Sequence, residues 1–260
     1  MKSFWTPFSF ILCLLCLTAC GEKKSNGKKI ISLNEERLER FVNELTFECE
    51  SLKGDKCPEG IGRLIIYNRE NPNESSLCSG FLVKDNILIT NNHCVSSLKE
   101  CEDTFINIYT EKEIVKARCE SILYTEADNS STKLKKIDVS VLKINRPVPI
   151  KFLDLNKEGI LPGENLHSWV VDHISGKRAR ITELKCEFEN HSPSMRLKNC
   201  PIILGNSGSP LLDERRNVVG VLWGSTVDET IGAEFPLESR RELTDYGFAT
   251  AVSYFQEFFN

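Results

Sequence analysis

The strongest constraint on the fold is a series of short apolar runs that begins near residue 61 and continues almost to the end of the chain. Glycine, proline, asparagine and charged residues separate the runs, a pattern typical of short β-strands in a sandwich or in barrels. The predicted strands cover residues 62–67, 80–83, 86–90, 105–109, 139–144, 167–171, 178–182, 209–212, 217–223 and 247–252. The sequence therefore predicts an all-β fold and leaves the choice between sandwich and barrels open.

Short helices are expected at both ends of this all-β region. Residues 33–45 carry four apolar side chains at helical spacing, which predicts an amphipathic helix packed on the main domain. These side chains are Leu38, Phe41, Val42 and Leu45. A second short helix is expected over Ser253–Phe259, and the proline-containing stretch 145–165 is expected to connect two halves of the domain.

The N-terminus has the features of an export signal. Lys2 precedes an apolar run over residues 8–17, which is too short for a transmembrane helix of about 20 residues but suits a signal peptide. The run ends in Leu17-Thr18-Ala19-Cys20, which resembles a bacterial lipobox, where small residues precede a cysteine that becomes lipidated. The alternative is an ordinary signal peptide cleaved near Ala19.

We therefore expect a signal peptide over residues 1–19 and a lipidated N-terminus with a polar tether over residues 20–32. No later segment has the length of a transmembrane helix, so the lipid on Cys20 is the expected membrane anchor. The expected location is the periplasmic or cell-surface face of a bacterial envelope membrane. Gly21 is not the aspartate that often retains lipoproteins at the inner membrane, which favours the outer membrane.

The number of cysteines fits an exported protein. Of the eleven cysteines, Cys13 and Cys16 leave with the signal peptide and Cys20 carries the lipid. The eight that remain are an even number, which fits four disulfides in an exported domain, although eight cysteines allow 105 pairings. Those eight form no CxxC pair, and no Cys/His cluster has zinc-finger spacing, so no metal site is expected. The net charge of −4 offers no basic footprint for nucleic acid.

Three segments carry residues with catalytic chemistry. His93 follows a predicted strand pair, Asp138 opens an alternating strand, and Ser207 lies in a glycine-flanked turn, Gly205-Asn-Ser-Gly-Ser-Pro210. Each segment alone has an ordinary structural explanation, since a lone histidine, an aspartate before a strand and a Gly-Ser turn are common. Together, in the order His, Asp, Ser, they are far more specific.

These segments resemble the chymotrypsin-like serine endopeptidases over roughly residues 60–258. Thr90-Asn-Asn-His93-Cys94 is similar to the family's Thr-Ala-Ala-His-Cys, and Asp138-Val-Ser-Val-Leu-Lys to its Asp-Ile-Ala-Leu-Leu. Gly205-Asn-Ser207-Gly-Ser-Pro210 is similar to Gly-Asp-Ser-Gly-Gly-Pro, and Leu222-Trp-Gly224 to Ser-Trp-Gly. The Gly-Asn-Ser-Gly form favours the bacterial branches, the glutamyl endopeptidases and the Deg-like enzymes.

The resemblance implies two six-stranded antiparallel β-barrels, with a short N-terminal helix and a C-terminal helix. The expected domains are an N-terminal helical extension over residues 33–58 and a peptidase domain over residues 59–260. Within that domain, the first barrel covers about 59–146 and the second about 147–258.

The resemblance also implies the roles of the site residues. His93 takes the proton of the Ser207 hydroxyl as it attacks the peptide, and Asp138 holds the imidazole in the right tautomer. The backbone N–H groups of Gly205 and Ser207 stabilise the oxyanion. The strand Leu222-Trp223-Gly224 pairs with an extended peptide substrate, and Gly224 leaves the entrance of the S1 pocket open. No cofactor is expected.

One cysteine pair follows from the same resemblance, and the other three are suggested by their positions in the sequence. Cys78 and Cys94 bracket the histidine as in the family, so a disulfide between them is expected to hold His93. Cys186–Cys200 lies just before the serine loop, and Cys101–Cys119 and Cys49–Cys57 are the simple local pairings for the rest.

The chain departs from the family in two informative places. Asn206 stands where the family has an aspartate that captures a newly cut N-terminus, so activation by N-terminal insertion is not expected. Pro201, six residues before Ser207, is expected at the floor of the S1 pocket, where there is no acid for an Arg or Lys. Leu222 replaces a histidine of the glutamyl endopeptidases. An apolar S1 pocket is the resulting hypothesis.

The leading interpretation is an active, membrane-tethered serine endopeptidase acting on protein or peptide substrates. An inert relative that uses the fold for binding is the alternative, and the intact triad favours activity. An esterase of the α/β-hydrolase type is set aside, because its order is Ser, Asp, His and Gly205–Gly208 lacks its final glycine. The other histidines, His167, His173 and His191, are interpreted as surface groups without partners. The sequence does not indicate the oligomeric state.

Overall fold

The computed structural model describes residues 39, 41–52, 54, 56–127, 137–156, 158–173, 178–191, 194–226 and 246–259, with only the backbone at His173. The predicted signal peptide, Cys20, the tether and most of the predicted helix over residues 33–45 lie outside these residues. Residues 39, 41 and 42 are helical, and the turn at Asn43 leads into strand β1 (Thr46–Glu50). No helix within the described residues is long and apolar enough to cross a membrane.

The first barrel is closed by six antiparallel strands. They are β2 (Ile61–Ile66), β3 (Ser76–Lys84), β4 (Ile87–Thr90), β5 (Thr104–Tyr109), β6 (Ile114–Ala127) and β7 (Asp138–Ile144). Their order around the barrel is β2-β3-β4-β7-β6-β5, and β5 pairs back onto β2. A short helix, α1 (Leu98–Glu102), lies between β4 and β5, and the Ser97 side chain caps it by accepting from the Glu100 N–H.

The second barrel has the same number of antiparallel strands. They are β8 (Asn165–His173), β9 (Arg178–His191), β10 (Met195–Lys198), β11 (Pro210–Leu212), β12 (Val218–Ser225) and β13 (Gly247–Ala251). The order is β8-β9-β10-β13-β12-β11, and β11 closes onto β8. The predicted pair of six-stranded barrels is therefore confirmed.

Two expectations about local structure need correction. The predicted C-terminal helix over Ser253–Phe259 is a pair of 3-10 turns, Val252–Tyr254 and Gln256–Phe259. Phe255 separates the turns with a φ of −132°, far from helical geometry, and is itself buried in the core. A third 3-10 turn covers Pro72–Glu74. Strands β1, β6 and β10 were not predicted, and β9 extends nine residues beyond its predicted end at residue 182.

The barrels share one apolar core and so cannot separate freely. A single buried cluster contains Phe81, Tyr109 and Val141 of the first barrel together with Trp169 and Val221 of the second. Each large apolar side chain buried in this way contributes roughly 1.5–3 kcal/mol to folding. Since several such side chains come from each barrel, the cleft between the barrels is a permanent feature of the molecule.

The segment before β2 is tied to both barrels. Strand β1 pairs in parallel with β9 of the second barrel, from Thr46 opposite Arg178 to Glu50 opposite Thr182. Glu44, just before β1, is buried against the first barrel. Its carboxylate lies 3.1 Å from the Arg63 guanidinium of β2, in a contact whose side chains are 0% and 2% exposed.

Other polar groups complete the surroundings of this Glu44–Arg63 pair. The Tyr109 hydroxyl donates to Glu44 at 2.6 Å, as does the Asn107 amide at 3.1 Å. Arg63 also donates to the Asp172 carbonyl of β8 at 2.9 Å, so it joins the two barrels. Burial and the neighbouring Glu44 carboxylate raise the pKa of the Tyr109 hydroxyl well above its ordinary value. Burial lowers the pKa of Arg63, but Glu44 and Tyr109 outweigh that effect and the net change is upward.

All four expected disulfides are present. They join Cys49 to Cys57, Cys78 to Cys94, Cys101 to Cys119 and Cys186 to Cys200. The first closes the loop between β1 and β2. The second joins β3 to the segment that carries His93, and the fourth joins β9 to the start of the segment that carries Ser207. A bridge of this kind typically stabilises a fold by about 2–4 kcal/mol.

Candidate active site

His93 lies in a tight turn directly after β4. The backbone N–H groups of Cys94 and Val95 both donate to the Asn91 carbonyl at 3.2 Å, which closes the turn around the histidine. Cys94, the next residue, is bonded through its disulfide to Cys78 on β3. The turn is therefore fixed on both sides, and the imidazole remains 28% exposed.

Asp138 is the first residue of β7 and is fully buried beside this turn. Its Oδ2 lies 2.7 Å from His93 Nδ1, and its Oδ1 accepts from the His93 backbone N–H at 2.9 Å. A carboxylate at Nδ1 requires the proton on that nitrogen, which leaves Nε2 with a free lone pair in the neutral ring. The pair can thus act as a general base on the solvent side of the imidazole.

Ser207 lies in the loop between β10 and β11, on the second barrel. The loop is tied to the first barrel through Ser79, whose N–H donates to the Ser207 carbonyl at 2.6 Å and whose hydroxyl donates to the Gly205 carbonyl at 2.9 Å. Ser79 follows Cys78, and Cys78 is bonded to the residue after His93. These links bring His93 and Ser207 to the same junction between the barrels.

The backbone conformation at position 208 explains why a glycine follows Ser207. The φ of Gly208 is +92°, and a Cβ there would lie 1.9 Å from the Ser79 carbonyl oxygen. Its N–H donates to the Leu222 carbonyl at 2.8 Å, which ties the turn to β12. Only glycine permits both this backbone conformation and this close approach to β3.

The Ser207 hydroxyl donates to the Trp223 carbonyl at 3.4 Å. Within the described residues it makes no hydrogen bond to His93. Attack on a peptide requires Oγ to leave the Trp223 carbonyl and approach His93 Nε2. Hydrogen bonds between nucleophile and base are often long without substrate and tighten when the substrate is bound.

The predicted oxyanion donors are the backbone N–H groups of Gly205 and Ser207. Gly205 has a φ of +95°, a conformation that favours glycine. Among the described residues, no group accepts a hydrogen bond from the N–H of Gly205 or of Ser207. The intervening Asn206 N–H, in contrast, is satisfied by the Ile203 carbonyl at 3.1 Å. The loop thus leaves two backbone donors available for a developing negative charge.

Asn206 is fully buried and belongs to the internal structure of this loop. Its Oδ1 accepts from the Ile203 N–H at 3.2 Å, and its Nδ2 makes no hydrogen bond to any described residue. A neutral side chain therefore holds the loop by a bond inside the loop itself. That no α-amino group pairs with this position stays a prediction from the sequence.

The predicted substrate strand divides into buried and accessible residues. Leu222 is fully buried, and its N–H and carbonyl are both used, by Ser209 and Gly208. Trp223 is half-buried, its ring stacks on Phe248 with 5.3 Å between centroids, and its carbonyl lies beside the nucleophile. A Cβ on Gly224 would meet nothing within 4 Å. Trp223 and Gly224 are therefore partly exposed, whereas Leu222 supports the serine loop.

Pro201, the predicted floor of the S1 pocket, is buried. It lines a cavity of about 380 Å³ with Leu52, Glu183 and Asn199, to which neither His93 nor Ser207 contributes. Ile202 is the residue that packs between the serine loop and the two strands β12 and β13. Its carbonyl accepts from the Ser225 hydroxyl at 2.6 Å, and its Cδ1 would lie 2.9 Å from a Cβ on Gly247.

Cys78, His93 and Cys94 lie close enough together to resemble a metal site. The two cysteines form a disulfide, which removes the thiolates that a metal would need. The cluster is therefore part of the histidine support.

His167 is not the unpartnered surface group that the sequence suggested. Its side chain is 16% exposed, and Nδ1 lies 2.9 Å from Glu183 on β9. The other oxygen of Glu183 accepts from the Leu52 N–H at 2.7 Å, which ties the end of β1 to the second barrel. His191 is exposed and contacts the Phe188 ring edge-on, and burial lowers its pKa.

Two closed antiparallel barrels, with a His–Asp pair from one and a serine loop from the other, define the chymotrypsin-like class of protein fold. The sequence pattern of the trypsin-like peptidase domain matches residues 78–221, more than half of the chain. The chain belongs to the trypsin-like peptidase domain family.

Solved structures with a similar fold agree with this assignment. The scabies mite inactivated protease paralogue S-D1 is 13% identical, with a TM-score of 0.54, covering 78% of this chain and 94% of its own. Paralogue S-I1 is 16% identical, with a TM-score of 0.55 and coverages of 76% and 93%. A Glu endopeptidase is 17% identical, with a TM-score of 0.54 and coverages of 80% and 96%. A search of curated protein sequences found no match.

Proposed function

We propose that this protein is a serine endopeptidase that hydrolyses peptide bonds through His93, Asp138 and Ser207. The observation that carries the proposal is the 2.7 Å contact between His93 Nδ1 and a fully buried Asp138 carboxylate. A carboxylate buried at this position stabilises the imidazolium that forms when the histidine takes a proton. His167 has a similar contact with Glu183, so the second feature that matters is the link of the His93 turn, through the disulfide on β3, to the loop of Ser207.

The proposed reaction has two halves. Ser207 Oγ attacks the peptide carbonyl carbon while His93 Nε2 takes its proton, and collapse of the tetrahedral intermediate releases the amine as His93 protonates it. Water then attacks the acyl-serine ester with the same base, which releases the acid product and restores the serine. In both halves the negative oxygen lies against the N–H groups of Gly205 and Ser207, and each such donor is typically worth about 2.7–4 kcal/mol.

Substrate recognition follows from the residues beside the nucleophile. An extended peptide is proposed to pair with β12 at Trp223 and Gly224. The buried Ile202 next to this strand, with no acid or base in the run from Pro201 to Leu204, supports an apolar preference at P1. The side chain that the pocket takes is therefore aliphatic or aromatic in this proposal.

Membrane attachment is a separate part of the proposal and rests on the lipobox-like residues 17–20. Cys20→Ser is expected to abolish incorporation of a clickable fatty-acid label into the protein, whereas Cys16→Ser, a matched cysteine of the signal peptide, retains it. Retention of the label in Cys20→Ser contradicts the lipid anchor.

A second candidate is a catalytically inert protein that binds peptides through the same cleft. Two observations favour it: the Ser207 hydroxyl is bonded to Trp223 and not to His93, and two of the similar structures are named as inactivated proteases. The intact His, Asp and Ser positions support activity instead.

One experiment separates the two candidates. The purified protein is treated with a fluorophosphonate probe, and its cleavage of a proteome-derived peptide library is profiled by mass spectrometry. Wild type is expected to be labelled and to cleave after apolar residues, whereas Ser207→Ala does neither, with Ser209→Ala as the neighbouring control that stays labelled. Absence of labelling and cleavage in wild type supports the inert protein, and a profile dominated by P1 Arg, Lys or Glu overturns the apolar pocket.

A further inference from the structure

Two buried polar side chains outside the proposed triad hold the backbone of Asp138. The Asn91 amide nitrogen donates to the Asp138 carbonyl at 2.7 Å, and the Asp138 N–H donates to the Thr250 hydroxyl at 3.0 Å. All three residues are 0% exposed. The buried aspartate is thus fixed at both of its peptide groups by side chains.

Asn91 links Asp138 to His93. Its side chain holds Asp138, while its own carbonyl accepts from Cys94 and Val95 and so closes the turn that carries His93. The two ends of one residue therefore set the separation of the histidine and the aspartate within the first barrel. The sequence motif Thr90-Asn-Asn-His93 contains this residue two positions before the histidine.

The position of Asn91 carries an energetic cost. Its Oδ1 is buried and makes no hydrogen bond to any described residue. A buried polar group without a partner is uncommon and calls for an explanation. A small apolar residue at position 91 would leave no such group, so the amide is explained by the bond that its nitrogen makes to Asp138.

Thr250 links Asp138 to the other barrel. It lies on β13 opposite Val221 of β12, and the next residue of β12, Leu222, bonds to Gly208 and Ser209 beside the nucleophile. The Thr250 hydroxyl therefore connects the aspartate of the first barrel to the strand that supports Ser207. The triad draws its residues from two barrels, so its geometry depends on such a bond.

We propose that Asn91 and Thr250 are positioning residues of the triad: Asn91 sets His93 against Asp138, and Thr250 sets Asp138 against the barrel that carries Ser207. The effect on catalysis rests on the proposed serine endopeptidase function. Neither residue touches the reacting atoms, and each acts through Asp138.

The test begins with Thr250→Val, which keeps the shape of the side chain and removes the acceptor. Because misplacement of a catalytic group by about 1 Å costs roughly a hundredfold, kcat is expected to fall about tenfold to a hundredfold while KM stays within about twofold. The acid limb of the pH profile moves to lower pH, since a displaced Asp138 stabilises the His93 imidazolium less. Thr250→Ser, which retains the hydroxyl, is expected to restore most of kcat.

Controls separate positioning from ordinary destabilisation. Thr104→Val makes the same change at another fully buried threonine, whose hydroxyl donates to the Glu100 carbonyl and not to Asp138. Asn91→Ala is compared with Asn92→Ala, because the Asn92 amide donates to Thr125 and not to Asp138. Both controls are expected to keep the wild-type pH profile. Wild-type kcat and pH profile in Thr250→Val and Asn91→Ala overturn the proposal.

A spectroscopic measurement keeps the inference independent of activity. In a Ser207→Ala background, the His93 Nδ1 proton shared with Asp138 is expected to give a strongly deshielded proton resonance, which Thr250→Val and Asn91→Ala broaden or shift upfield. An unchanged resonance in both variants overturns the proposal. If wild type neither cleaves peptides nor reacts with the probe while the variants still lose the resonance, the proposed function fails and the positioning role stands.

Discussion

Glu44 and Asp138 are both fully buried carboxylates that face a basic side chain, but their partners differ in access to water. Arg63 beside Glu44 is 2% exposed, whereas His93 beside Asp138 is 28% exposed. Arg63 is permanently charged and enclosed, so its pair with Glu44 has one state. The His93 ring is partly exposed, so it can exchange a proton with its surroundings while it stays paired with Asp138.

The comparison shows how one arrangement serves two purposes. A buried carboxylate beside an enclosed base forms a permanent ion pair. A buried carboxylate beside a base with one exposed face leaves that base able to accept a proton. We therefore expect changes at Asp138 to act on catalysis and changes at Glu44 to act on the stability of the fold. The predictions below test this division.

The largest effect is expected for Asp138→Asn. This change keeps the size of the side chain but favours the wrong imidazole tautomer, and it should lower kcat by about 10⁴-fold. Fluorophosphonate labelling rates and peptide hydrolysis measure the loss, and urea unfolding measures stability. A loss of stability larger than that of Glu44→Gln would remove the distinction between the two pairs.

Glu44→Gln is expected to lower the free energy of unfolding by about 3–5 kcal/mol, because it leaves the Arg63 charge buried without its counter-ion. The urea midpoint should fall, while kcat per folded molecule stays within about threefold of wild type. The double variant Glu44→Leu/Arg63→Met removes both charges and should recover much of the lost stability. If the double variant is less stable than Glu44→Gln, the buried charge is not the cause.

Removal of the disulfide next to each pair should have unequal consequences. Cys78→Ala/Cys94→Ala and Cys49→Ala/Cys57→Ala are each expected to cost about 2–4 kcal/mol of unfolding free energy. Only the first should also lower kcat, because Cys94 directly follows His93. Equal kcat values in the two variants, measured well below their melting temperatures, would show that the Cys78–Cys94 bond does not hold the histidine.

The smallest effect is expected on the free energy of unfolding at high pH, through the ionisation of Tyr109. Burial and Glu44 raise the folded-state pKa of Tyr109, so above an unfolded pKa of about 10 the folded protein binds the proton more tightly than the unfolded chain. The stability that Tyr109 contributes is therefore complete below about pH 10 and is lost as the pH rises towards the folded value. Tyr109→Phe should flatten this part of the curve of unfolding free energy against pH, and an unchanged slope would place the titration elsewhere.

The strands that were predicted are those with a dense apolar pattern, and the three that were missed lack it. Of the fourteen residues of β6, only Ala117 and Cys119 are buried, although the strand pairs with β5 and β7 on its two sides. Strand β1 has no fully buried residue, and its partner β9 is distant in sequence. β10 has only four residues. A strand that is held mainly by backbone pairing therefore shows little apolar pattern in its own sequence.

The site was predictable where short motifs carry it, as for His93, Asp138 and Ser207. The role of Pro201 at the floor of an S1 pocket stays a prediction, because the path of the loop before Ser207 depends on how the chain crosses between strands, which the motif does not encode. Glu44 gave no signal, since a glutamate in an amphipathic segment is usually solvated. Its role depends on Arg63, which reaches it only after the barrel has closed.

The parallel pairing of β1 with β9 has a consequence for the order in which the molecule forms. All six strands of the first barrel lie within residues 61–144, so that barrel can close from contacts within one stretch of chain. Strand β1 has no partner until residues 178–182 have been made and folded. Contacts between such distant residues form late and slow folding. During folding, the N-terminal strand therefore joins its sheet late, and His93 and Ser207 come together only when both barrels have formed.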